Sequence, residues 1–161
     1  MSVRTGIGYD CHQFVDGGRL VLGGVEIPYT RGLLGHSDAD VLTHAVIDAL
    51  LGAAGLGDIG EHFPDTDERY RAADSVELLR VTVAMVSDAG YAVVNVDTTV
   101  VTEAPKLADF KGAIREKLAP MLGVGVDAIN VKATRGEGMG FIGRGEGAAA
   151  LAIATLQARV A

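Results

Sequence analysis

The stretch Gly32–Asp67, GLLGHSDADVLTHAVIDALLGAAGLGDIGEHFPDTD, holds three of the chain's four histidines, a helix start, a glycine-spaced turn and a cluster of acids. Ser37-Asp38-Ala39-Asp40 has the form of a capping box, a hydroxyl followed three residues later by an acid, ahead of an apolar-periodic segment. That pattern predicts a helix beginning here, with Val41, Leu42, Ala45, Val46, Ala49 and Leu50 as its apolar face. Asp40, His44 and Asp48 stand four apart, and since steps of four drift by only about 40° they form a row along one helix edge. His44 therefore has a carboxylate one turn to either side, and Asp40 and Asp48 are the expected partners for its second ring nitrogen. His36 precedes the cap, where free backbone N–H groups and the helix dipole favour an anion.

Upstream, Val3 to Tyr9 alternates as a strand does and runs into Asp10-Cys11-His12. Side chains two apart on a strand share a face, so Asp10 and His12 point together and Cys11 points away. Two readings of this triplet stand, a solvated strand end or two metal ligands awaiting a third. His44 would be the third, giving one carboxylate and two imidazoles, a set that suits zinc with its fourth position open and nitrogens about 2.0–2.1 Å from the ion. The alternative is a helix histidine satisfied by a neighbouring acid. Leu20 to Tyr29 reads as a hairpin around Gly23-Gly24.

Downstream, Gly57-Asp58-Ile59-Gly60 is either a phosphate-facing turn or a helix terminator, Phe63 to Asp67 is an acidic loop, and His62 reads as a surface residue. Asp74-Ser75-Val76-Glu77 is a second capping box, opening a helix that stops at Gly90. Tyr91 to Thr102 is β-branched and reads as a long strand, ended by Pro105, which presents Lys106. Leu107, Phe110, Ile114 and Leu118 mark a third helix closing near Gly123, and Ala128 to Thr134 a further strand. The tail from Gly145 is open between helix, by alanine propensity, and strand, by its glycines. The whole is an α+β pattern, a mixed four-stranded sheet with helices on one face plus a small hairpin.

At 161 residues the chain has the size of one domain, residues 1–161. A net charge of −7, from 14 basic and 21 acidic residues, argues against a nucleic-acid surface and requires that any strongly anionic ligand be offset by metal ions or backbone amides. The single cysteine, Cys11, is consistent with a reducing cytoplasm, and no stretch reads as a signal peptide or membrane span.

Gly8-Tyr9-Asp10-Cys11-His12, HSDADVLTHAVIDALLGAAGLGDIG at His36–Gly60, FPDTD at Phe63–Asp67, APK at Ala104–Lys106, and NVKAT followed by GFIGRGEG resemble, in order and almost end to end, the 2-C-methyl-D-erythritol 2,4-cyclodiphosphate synthases. The resemblance implies a ferredoxin-like, chorismate-mutase-like homotrimer with active sites between subunits, and it makes the tail a strand of the trimer core. It implies a reaction of the non-mevalonate isoprenoid pathway, in which 4-diphosphocytidyl-2-C-methyl-D-erythritol 2-phosphate is cyclised with release of CMP.

By position, Asp10, His12 and His44 match the family's zinc ligands, and Glu137 matches a carboxylate serving Mg²⁺ or Mn²⁺. Asp10, His12 and Glu137 also belong to the implied substrate site. His36 and Ser37 match residues that orient the transferring phosphate, with His36 and Thr134 as catalytic residues. Asp58, Ile59 and Gly60, with Phe63, Pro64, Asp65, Thr66 and Asp67, match the methylerythritol pocket. Thr102, Ala104, Pro105, Lys106, Leu107, Ala133 and Thr134 match the cytidine side. Phe141, Arg144 and Glu146 resemble the lining of an axial cavity for an isoprenoid diphosphate, or else form a plain trimer salt bridge. The family usually has threonine where this chain has Arg135, which either takes over that residue's role or leaves it to Thr134. The rival classes are a zinc-dependent phosphoester hydrolase and a non-catalytic trimeric binding module.

Overall fold

The computed structural model describes residues 2–160. In chain order the elements are β1 (Val3–Asp16), β2 (Leu20–Leu22), β3 (Val25–Ile27), β4 (Arg31–Leu34), α1 (Val41–Ala54), α2 (Ile59–His62), α3 (Ser75–Asp88), β5 (Tyr91–Val101), α4 (Lys111–Leu122), β6 (Ile129–Thr134), α5 (Gly140–Gly143) and β7 (Gly147–Ala158). A five-stranded sheet runs β4-β1-β7-β5-β6, antiparallel except for the parallel pair β5 and β6. The expected sheet of four strands is thus corrected to five. β7 pairs with one edge of β1 as far as Gln13, and β4 pairs with the other edge from Gln13 to Asp16. Four residues, two of them buried, are too few to display an alternation.

The tail is a strand, β7, and its alanines answer to space rather than to helix propensity. Ala148, Ala150, Ala152 and Ala154 are buried beneath α1, while Leu151 and Ile153 point to the opposite, exposed face. α1 is buried almost all round and forms the centre of the core. Its approach to β1 depends on two glycines: a Cβ on Gly8 would lie 1.8 Å from the Ala45 carbonyl oxygen, and one on Gly6 2.2 Å from that of Ala49. Backbone therefore packs on backbone, and the helix edge carrying His44 comes down onto the strand carrying Asp10 and His12.

α1 begins at Val41, not at Ser37. Its N-cap is Asp40, whose side chain accepts from the Thr43 N–H. The same carboxylate accepts from Gly23 N–H (2.9 Å), Gly24 N–H (2.7 Å) and the Thr43 hydroxyl (2.8 Å). Asp40 is fully buried, and it clips the β2-β3 turn, with Gly23 and Gly24 at φ 59 and 74, onto the helix start. The expected row Asp40-His44-Asp48 is accordingly broken, since Asp40 faces the hairpin and Asp48 accepts from Ile59 N–H at 2.9 Å. α3 is capped by Asp74 as predicted, and α4 starts at Lys111 after a 3-10 turn over Ala108–Phe110.

Candidate metal centre and its clefts

Asp10 Oδ2 lies 2.9 Å from His12 Nε2 and 2.9 Å from His44 Nδ1, and the two ring nitrogens are 3.3 Å apart. Ligands around a tetrahedral ion at about 2.0–2.1 Å stand about 3.3 Å from one another, so this donor triangle suits a small divalent cation. His12 Nδ1 donates to the Leu34 carbonyl at 2.9 Å, so the neutral ring would turn its Nε2 lone pair to a cation at the triangle, whereas the protonated ring donates from Nε2 to Asp10. Burial disfavours charge on Asp10, but its hydrogen bonds to His12 and His44 outweigh that and hold the carboxyl at about 2. Burial likewise opposes a charged His12, but the Asp10 carboxylate and the Leu34 carbonyl raise its pKa. The same field favours a cation bound at the three donors.

The second nitrogen of His44 meets neither Asp40 nor Asp48. Nε2 lies 2.8 Å from Ser75 Oγ and 3.1 Å from Ser37 Oγ, and the Ser75 hydroxyl is itself hydrogen-bonded to Asp38. Ser75 and Asp38 are thus site residues that sequence reasoning missed. Ser75 was legible only as part of a cap, and its contact with Asp38 spans 37 positions.

The triangle forms the floor of a cleft of about 350 Å³. His36, Ser37, Ile59, Gly60, Phe63, Pro64 and Asp65 line it, together with Asp48, Tyr9, Tyr70 and Leu78. Asp58, Thr66 and Asp67 stay out of this lining. Asp58 caps α2 through Glu61 N–H (3.0 Å), and the Asp67 carboxylate is taken up by Arg69 at 2.6 Å. His36 sits before the extended turn that precedes α1 rather than at a helix terminus, and its Nε2 donates to the Asp67 carbonyl at 3.2 Å. His62 Nε2 donates to the Leu56 carbonyl.

A second cleft, of about 230 Å³, opens at the C-terminal ends of the parallel strands β5 and β6, where Val101 pairs with Thr134. Thr102, Pro105, Lys106, Leu107, Ala133 and Thr134 line it, joined by Glu103, Lys111 and Arg135. Ala104 stays out of this lining, and its carbonyl accepts from the Thr102 hydroxyl at 2.6 Å. Arg135 reaches Glu137 at 3.5 Å, and Glu137 is exposed and stands outside the donor triangle. A third hollow, of about 370 Å³, lies on the other face of β1 between Cys11, Gln13, Phe141 and Glu146. Arg144 pairs with Glu146 at 3.0 Å beside it.

Fold and site together define an α+β protein with a carboxylate-bis-imidazole centre, competent for a metal, at the floor of an open cleft. The chain belongs to the YgbB family, whose model matches residues 3–157. It is 57% identical over 157 residues to the 2-C-methyl-D-erythritol 2,4-cyclodiphosphate synthase of Geotalea daltonii, covering 98% of this chain and 92% of that one. Among solved structures, the bifunctional IspDF from Campylobacter jejuni matches with a TM-score of 0.94 and 47% identity over 98% of this chain, which spans only 42% of that longer protein. IspF of Plasmodium falciparum, in its CDP complex, matches with a TM-score of 0.86 and 30% identity, covering 99% and 98% of the two chains.

Proposed function

We propose that the chain converts 4-diphosphocytidyl-2-C-methyl-D-erythritol 2-phosphate to 2-C-methyl-D-erythritol 2,4-cyclodiphosphate and CMP, as a cytoplasmic phosphorus-oxygen lyase of the non-mevalonate isoprenoid pathway. The observation that carries the reading is the convergence of Asp10, His12 and His44 beneath a cleft rimmed by His36, Ser37 and Asp65, in a chain that matches named synthases over its length.

In the reaction an oxygen of the 2-phosphate attacks the β-phosphorus, the bond from that phosphorus to the bridging oxygen breaks, and CMP leaves with that oxygen. Such a displacement demands alignment and charge neutralisation rather than a protein nucleophile. Asp10, His12 and His44 would hold Zn²⁺ and Glu137 a Mg²⁺ or Mn²⁺ ion, and cations so bound withdraw charge from phosphoryl oxygens. His36 and Ser37 meet the transferring phosphate at the cleft rim, and Thr134 meets it from the second cleft. Asp65 accepts from the sugar hydroxyls, and Phe63 and Ile59 give that pocket its apolar wall. Lys106 and the backbone around Thr102 receive the cytidine phosphate that departs.

A complete site is formed by joining the first cleft of one subunit to the second cleft of its neighbour in a homotrimer. What supports this is the outer face of the sheet, where Ile7, Tyr9, Leu151 and Ile153 are 37–67% exposed although apolar. On the same reading, Phe141, Arg144 and Glu146 ring the trimer axis, where an isoprenoid diphosphate would be held.

Incubating the zinc-loaded protein with the cytidyl substrate tests the reading. CMP with a cyclic product is the expected outcome. Linear hydrolysis products would favour the zinc-dependent phosphoester hydrolase, and no turnover a binding module.

A further inference from the structure

The hydrogen bonds behind His44 fix more than its position. Asp38 accepts from Ser75 N–H at 3.0 Å with Oδ2 and from Asp40 N–H at 3.2 Å with Oδ1, so its carboxylate is held in place by backbone donors. The Ser75 hydroxyl is hydrogen-bonded to that same carboxylate. An ionised carboxylate can only accept, so the Ser75 proton points at Asp38. The hydroxyl oxygen then has only lone pairs to offer His44, 2.8 Å away, and so draws the His44 proton to Nε2. Nδ1 of the same ring meets His12 and, at 2.9 Å, the Asp10 carboxylate, which by the same rule can only accept and so draws the proton toward Nδ1; a proton kept on Nε2 instead leaves the Nδ1 lone pair free for a cation. Ser75 is fully buried, so water does not compete for this arrangement.

We infer that Ser75 and Asp38 act as a positioning pair that draws the His44 proton to Nε2 against the pull of Asp10 and thereby sets the metal affinity of the Asp10-His12-His44 centre. The inference rests on the metal-centre reading above. It assigns to the first residue of α3 a task in the chemistry, in addition to its place behind the Asp74 cap. Ser37 Oγ, at 3.1 Å from the same nitrogen, is the weaker acceptor of the two, because no carboxylate fixes the direction of its proton.

The test uses the full chain, stripped of metal and titrated with zinc against a chromophoric chelator. Ser75→Ala and Asp38→Asn are expected to weaken zinc binding about 10- to 100-fold. The readout that a merely structural role would leave unmoved is the tautomer itself. Long-range ¹⁵N–¹H correlation spectra of the metal-free wild type are expected to show the His44 proton distributed between Nε2 and Nδ1, and those of Ser75→Ala to show it shifted onto Nδ1, toward Asp10. A wild-type proton wholly on Nδ1, or a folded Ser75→Ala with zinc affinity within twofold of wild type and an unchanged tautomer, overturns the inference. If Ser75→Ala does not fold, Asp38→Asn and the wild-type spectrum decide. If the wild type binds no zinc, the metal reading of the site fails, and the tautomer comparison still decides the role of the pair.

Discussion

Replacing Gly8 with alanine tests whether the packing of α1 on β1 builds the metal centre. The added methyl would lie 1.8 Å from the Ala45 carbonyl oxygen and 2.8 Å from Ala49 N, where ordinary contact begins at 3.4 Å. Both obstacles are helix backbone, so no rotamer change relieves them and α1 must lift from the strand by more than an ångström. Overpacking of this kind costs about 1–3 kcal/mol, and because a helix moves as a body the upper end is expected. His44 rides on the turn that lifts, so its Nδ1 withdraws from the Asp10 oxygen that it now meets at 2.9 Å. A misplacement of about 1 Å can cost on the order of 10²-fold in a positioned constellation, and zinc affinity and CMP release should fall together by that order. Urea unfolding gives the stability change and chelator competition the affinity. A Gly8→Ala protein of wild-type stability and zinc affinity would refute the claim that glycine at this position sets the geometry of the centre.

His44→Ala should abolish zinc retention and cyclisation while leaving the assembly intact, as read by metal analysis, CMP release and light scattering. Ile153→Glu places a charge beside Ile7, its cross-strand partner on the outer sheet face. It should yield folded monomers without activity, and an active trimer would count against the shared-site reading. The folded pKa of Asp10, about 2, lies below its ordinary 3.8. Its stabilisation of the metal-free protein is therefore complete above about pH 4 and is lost as the pH falls toward 2, an upper limit of about 2.4 kcal/mol for the shift. Acid unfolding of Asp10→Asn should lack that portion of the pH dependence.

The elements that could be read from sequence were those whose signal is local. The period-two alternation of β1 put Asp10 and His12 on one face, Gly23-Gly24 marked the hairpin, and Asp74 marked the start of α3. The start of α1 was misjudged because Asp38 and Asp40, identical in kind, have different tasks. Asp38 turns toward Ser75, and Asp40 caps the helix and gathers the hairpin amides. Which acid does which depends on segments 17 and 37 positions away. For the same reason the Ser75-Asp38 pair behind His44 was invisible. The alanines of β7 left the tail open between helix and strand, since their smallness serves the close approach of α1 while their propensity favours helix, and only the family resemblance pointed to the strand that forms.

His12 borders both the 350 Å³ cleft and, with Cys11 and Gln13, the hollow on the far side of the sheet. Between the two chambers there is a partition one strand thick, and successive residues of that strand face opposite rooms about 3.4 Å apart along the chain. Any guest pressing on the far side leans on the peptide units that carry the donors, so the two chambers are neighbours mechanically.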